Sequence, residues 1–239
     1  MIIFLRGHIR NAFENADLYN LIDNIKNFHK TPLKIYIHTW NIFSSDLSWR
    51  KVRADLREVK KHKIMNYFGS LRKFIKEIII ENDKEITING EKEGYICDTL
   101  CPIISWKNMW HGIYTGIKFI KDNNPDNEYV INLRFDILNN SFPKDYDEIM
   151  RFVHANRNIK DFKENIFTNN NIQNINHIRG IDNFYVGNVK TMYILTEHFY
   201  SNLDTIILKY PQNKCQESLV YLENKLIFRQ AAVRDQMTV

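Results

Sequence analysis

Arg134 and Asp136 close the run Tyr129-Val130-Ile131-Asn132-Leu133-Arg134-Phe135-Asp136, in which five residues are apolar. That pattern predicts a strand running inward. Residues two apart on a strand share a face, so the guanidinium and the carboxylate project together about 7 Å apart. A carboxylate suits a hard divalent cation, and a guanidinium suits a phosphate or a second carboxylate. The combination points to a nucleotide diphosphate held with a metal. The competing reading is an Arg–Asp pair at a strand end, a contact of small worth on a surface.

Three further polar clusters fall at strand ends. They are Arg6-Gly7-His8-x-Arg10, His38-Thr39-Trp40, and Asp182-Asn183. In a parallel sheet the carboxyl ends of successive strands meet along one edge, where open α/β sheets bind ligands. Clusters distant in sequence then become one pocket. Other chemistries lack their signatures: there is no His-x-x-x-His pair, no Gly-x-Ser-x-Gly elbow and no Walker loop.

Positioning those clusters requires alternating strands and helices. Met1–Leu5 reads as a first strand and 33–37 as a second. Between them Leu18, Leu21, Ile22, Ile25 and Phe28 recur at helical spacing, with Asn15 or Asp17 as cap. Such a βαβ unit makes its strands parallel. Arg53–Phe68 reads as helical, 75–80 as a third strand or a continued helix, and 85–88 as a hairpin arm or loop. Trp106, Met109, Trp110, Ile113, Tyr114, Ile117 and Ile120 mark one face of a long helix ahead of the central strand. Beyond it, a helix is expected around 146–155, a strand near 165–167, and a loop over 169–176. A short strand should follow Asp182, with helices near 189–200 and 216–225.

The 239 residues, with no Pro/Gly/Ser-rich linker, suit one domain. Its nucleotide-binding part would span about 1–136 and its acceptor-side part about 137–239. Hydrophobic content of 44% and 13% aromatic residues describe a packed globular chain. The net charge of +5 is spread along it, which favours anionic ligands slightly and offers no basic block for nucleic acid. Cys97, Cys101 and Cys215 form no paired framework or zinc spacing, so reduced thiols and a cytoplasmic location are expected. The apolar start, 1–5, is too short for a signal peptide or membrane span.

At this point the chain resembles nucleotide-sugar glycosyltransferases of the GT-A fold. More narrowly, 5–10 (Leu-Arg-Gly-His-Ile-Arg), 37–40 (Ile-His-Thr-Trp), 106–110 (Trp-Lys-Asn-Met-Trp) and 130–136 are similar to small glycosyltransferase domains of large DNA viruses and bacterial surface-glycan clusters. The likeness runs from residue 1 to about residue 190. It implies a three-layer α/β/α, Rossmann-like domain with a mixed, mostly parallel sheet. The activity implied is transfer of a sugar from a nucleotide-diphosphate donor, a UDP-sugar favoured, to a glycan hydroxyl. The alternatives are another nucleotide-dependent transferase, or a non-catalytic glycan- or nucleotide-binding module.

The resemblance also implies roles. Arg134-x-Asp136 stands where the family has Asp-x-Asp, making Asp136 the expected ligand of Mn²⁺ or Mg²⁺, with Asn132 supporting it on the same strand face. Arg134 replaces the first acid and supplies positive charge itself. Arg6, Gly7, His8 and Arg10 would meet the donor, Gly7 by allowing close backbone approach and His8 by donating to a phosphate or base edge. Trp40 would stack on the base, with His38 and Thr39 beside it, in competition with core packing. Lys107 reaches the diphosphate or remains a solvated lysine. In an inverting transfer Asp182 would take the proton from the acceptor hydroxyl, and in a retaining one it would position the acceptor or stabilise an oxocarbenium-like centre. Otherwise it caps a turn, and Asn183 would bind sugar hydroxyls.

Overall fold

The computed structural model describes residues 1–47, 53–96, 100–140, 146–155, 184–212, 218–220, 222–224 and 226–227. Its centre is a five-stranded sheet. Strand β1 (Ile2–Arg6) lies between β2 (Lys34–Trp40) and β6 (Tyr129–Arg134), and β5 (Ile75–Glu81) extends the β2 side. These four run parallel, whereas β7 (Phe184–Asn188) closes the β6 side antiparallel. The sheet is therefore mixed and mostly parallel, as expected.

Helices cover both faces, which is why β1 is buried along its whole length. Alternation sorts its residues. Ile3 and Leu5, with Ile35, Ile37, Ile131 and Leu133, pack toward α1 (Asp17–His29), α2 (Lys61–Phe68) and α5 (Tyr146–Ala155). Ile2 and Phe4, with Tyr36 and Val130, pack toward α3 (Ile103–Asn123) and α6 (Val189–Lys209). Trp106 and Trp110 belong to this second core, and Trp110 stacks on Phe199 of α6 at 4.3 Å. Helix α3 lies very close to the sheet, because Gly112 and Gly116, one turn apart, turn bare Cα atoms toward His38 and Phe4.

Several local expectations change. The helix expected over Arg53–Phe68 divides into β4 (Asp55–Glu58) and α2, and β4 pairs antiparallel with β3 (Ile42–Ser44). Arg57 lies over the Phe43 ring at 4.9 Å, a cross-strand contact that periodicity does not encode. The stretch 75–80 is a strand, and 85–88 is loop. Helix α1 has no side-chain cap; Asn15 instead accepts from the backbone N–H of Asp17. A four-residue helix, α4 (Ile137–Asn140), follows the central strand directly. Among the described residues no helix is long and apolar enough to cross a membrane. The strand and loop expected over 165–176 lie outside the described residues, as do Cys97 and Cys215; Cys101 is buried.

Candidate functional site

Sheet register builds the site. Arg6 pairs with His38 on one side and with Arg134 on the other, so three neighbouring strands bring these side chains into one row. The parity that turns Phe4 and Val130 toward α3 and α6 turns Arg6 and Arg134 the same way. At that edge a cleft opens, lined by Arg6, Gly7, His8, Arg10, His38, Trp40 and Arg134. Residues from three sequence clusters thus share one cavity.

The turn after β1 is held tightly. Gly7 takes φ +86°, donates its N–H to the His38 carbonyl at 3.2 Å, and accepts from the Thr39 hydroxyl at 2.9 Å. Thr39 therefore fixes the turn from behind. Arg10 adopts φ +53°, costly for a side chain with a Cβ, and its N–H donates to the Phe43 carbonyl at 2.8 Å. That strain aims its guanidinium at Asp136, whose Oδ2 accepts from Nη1 at 2.6 Å. Arg134 grips the same carboxylate through Nε at 2.9 Å and Nη2 at 2.8 Å. Asp136 is 1% exposed, so the pair foreseen at a strand end is an Arg–Asp–Arg triad built around a buried acid.

Arg6 is 2% exposed and donates Nε to Asn132 Oδ1 at 2.8 Å, with its guanidinium 5.6 Å from the Tyr185 ring centre. Asn132 holds Arg6 in place from behind the cleft. His8 lies 6.1 Å from Trp40, and its pKa is pushed down to about 3. Burial is the main cause, and Arg10, Arg134 and His38 add to it against the opposing charge of Asp136. His8 is therefore a neutral imidazole in a cationic setting.

Some chemistry here was not foreseen. Glu81 ends β5 and bonds both His38 Nε2 at 2.6 Å and His111 Nε2 at 3.0 Å. Burial alone would raise its carboxyl, but the bonds from His111 and His38 outweigh it and hold the pKa at about 2. Asp83 lines the cleft, where burial raises its pKa. Asn108 and Gly112 of α3 line it too. The signal for the acids was present: Glu81-Asn82-Asp83 directly follows the apolar run 78–80, the same strand-end pattern as the other clusters.

Lys107 stands apart from the cleft. Its ammonium, 6% exposed, pairs with Asp204 at 2.6 Å and donates to the Asn89 carbonyl at 2.8 Å, beside a second cavity. Trp106 and Trp110 pack on Phe199 of α6, and Lys107 between them pairs with Asp204 farther along the same helix. Asp182 and Asn183 lie outside the described residues.

The donor set does not fit the expected Mn²⁺ or Mg²⁺ at Asp136. Both of its oxygens already accept from guanidiniums, and a hard cation needs several oxygen ligands. Among the described residues, no group of three or more His, Cys, Asp or Glu is placed to hold a metal ion.

No protein-family model matches this chain, and comparison with curated proteins gives no match. Two solved structures resemble it. One is an active-site mutant of LgtC, at 11% identity and TM-score 0.38 over 94% of this chain and 69% of that one. The other is the galactosyltransferase LgtC in complex with donor and acceptor sugar analogs, at 10% identity and TM-score 0.38 over 94% and 70%. The chemistry of the cleft rests on its own residues.

Proposed function

We propose that this chain is a glycosyltransferase that moves a sugar from a nucleotide-diphosphate donor, a UDP-sugar favoured, to a glycan hydroxyl. One observation carries the reading: Arg6, Arg10 and Arg134 line one cleft at the carboxyl edge of a mostly parallel sheet, with Trp40 beside them. Guanidiniums match phosphate oxygens in geometry and charge, and an indole offers a face to a flat base.

Strand order gives the cleft a direction. Asp83 and Trp40 belong to the β5–β2 side, whereas Arg134 and Arg10 meet beyond β1 on the β6 side. The nucleoside is assigned to the first end, where Trp40 stacks and the Asp83 carboxylate accepts from ribose hydroxyls. The diphosphate is assigned to the second. As the acceptor oxygen attacks the anomeric carbon, the sugar–oxygen bond breaks and charge collects on the departing diphosphate. Fixed cations at that position stabilise it without reorganising. Asp182 remains the proposed group for the acceptor proton, with Asn183 on sugar hydroxyls.

Thermal-shift measurements with UDP, GDP, CDP and dTDP identify the base, since a ligand of the native state raises the melting temperature. Incubation with the matching nucleotide sugars should then release free nucleotide. Binding with no release from any donor would mark a binding module instead.

A further inference from the structure

We infer that the diphosphate site is a metal-free arginine clamp, in which Arg10 and Arg134 supply the charge and Asp136 only positions them. The inference rests on the diphosphate-donor reading above, yet it changes what Asp136 does. A metal-binding carboxylate must face the ligand. Here the exposures are reversed: the Asp136 side chain is 2% exposed, while those of Arg10 and Arg134 are 13% and 18% exposed and line the cleft. The acid stands behind the bases.

The geometry around the acid also suits a pivot. Arg134 straddles it with Nε and Nη2, and Arg10 arrives from another loop at 2.6 Å. Two guanidiniums that would otherwise repel are thereby fixed side by side, and Arg6 adds a third from the next strand. The backbone of Arg10 accepts a left-handed φ of +53° to reach this position. Strain of that kind persists where surrounding contacts over-determine it, and here the Phe43 carbonyl and Asp136 do so. His8, flanked by Arg10 and Arg134, stays neutral and so offers a hydrogen-bond donor without adding a fourth charge.

The test uses the full chain, freed of metal with EDTA, and inorganic pyrophosphate as probe in calorimetric titration. Pyrophosphate should bind in EDTA as tightly as, or more tightly than, with excess Mn²⁺. Arg10→Lys and Arg134→Lys keep the charge but lose the fork, and each should weaken binding about tenfold or more. Asp136→Asn, with melting and circular dichroism confirming the fold, should weaken pyrophosphate binding equally with and without Mn²⁺. Binding that appears only with Mn²⁺, or lysine variants that bind as well as the parent, would overturn the clamp. The two readings fail separately. Metal-free pyrophosphate binding with no response to any nucleotide sugar would sink the donor assignment and keep the clamp. Turnover of a nucleotide sugar strictly dependent on Mn²⁺ would keep the donor assignment and sink the clamp.

Discussion

Arg6 shows how a single residue ties stability to the proposed site. Its guanidinium is almost wholly buried, and its Nε reaches the neutral oxygen of Asn132. Replacing Asn132 with Leu removes that acceptor and leaves a buried donor of a charged group, so about 1.5–3 kcal/mol of stability should be lost in urea unfolding. Nucleoside diphosphate binding should weaken with it, because Arg6 loses its fixed orientation. His8 makes a second prediction, in pH. Its folded pKa, about 3, lies below the ordinary 6.5, so the unfolded chain takes up the proton first as pH falls. The stability that His8 contributes is complete above about pH 6.5 and drains away as the pH drops toward its folded pKa. Denaturation at neutral pH and near pH 4 should therefore show a shallower decline in His8→Gln than in the parent. Parallel declines would refute this.

At the scale of elements, α3 is the decisive piece. Gly112 and Gly116 look like weak points in a helix, where alanine is ordinarily better by about 1 kcal/mol. The sheet reverses that sign. A Cβ at 116 would lie 2.2 Å from the Phe4 ring, and one at 112 would lie 2.6 Å from the His38 ring. Gly116→Ala should cost roughly 1–3 kcal/mol through overpacking of a buried aromatic, measurable as a lowered melting temperature. Gly112→Ala should damage ligand binding as well, because His38 lines the cleft. The sequence displayed the apolar face of this helix clearly. It did not reveal the close approach, since a glycine's reason for being there is a neighbour more than seventy positions away. The same limit explains β4: its pairing with β3 is a tertiary contact that overrode the helical reading of Arg53–Phe68. The acids after β5 were readable by the rule that found the other clusters, once 75–80 is taken as strand.

For the whole molecule, the proposed anion binding depends on charge gathered from several elements and not on net charge. A formal +5 over 239 residues is unremarkable, yet three guanidiniums line one cleft. Affinity for nucleoside diphosphates should fall as sodium chloride is raised, and an affinity indifferent to salt would contradict the site. Ligand near a hundred times its dissociation constant should add about 2.7 kcal/mol to stability. For a chain of this size that corresponds to a rise of several degrees, about 2–4 °C for each kcal/mol.

The sequence by itself determined β1, β2, β6 and β7, the parallel order of the first two, and the polar clusters at strand ends, because burial period and chain reversal are local properties. Only the tertiary structure decided which of those polar groups line the cleft and which lie behind it. Asp136, Asn132 and Thr39 lie at the same strand ends as Arg134, Arg6 and Trp40, yet they brace the cleft from the back. Lys107 turned away altogether. The physical reason is that a side chain's role depends on what meets it across space. An acid between two guanidiniums and an acid open to solvent are identical in sequence and opposite in chemistry.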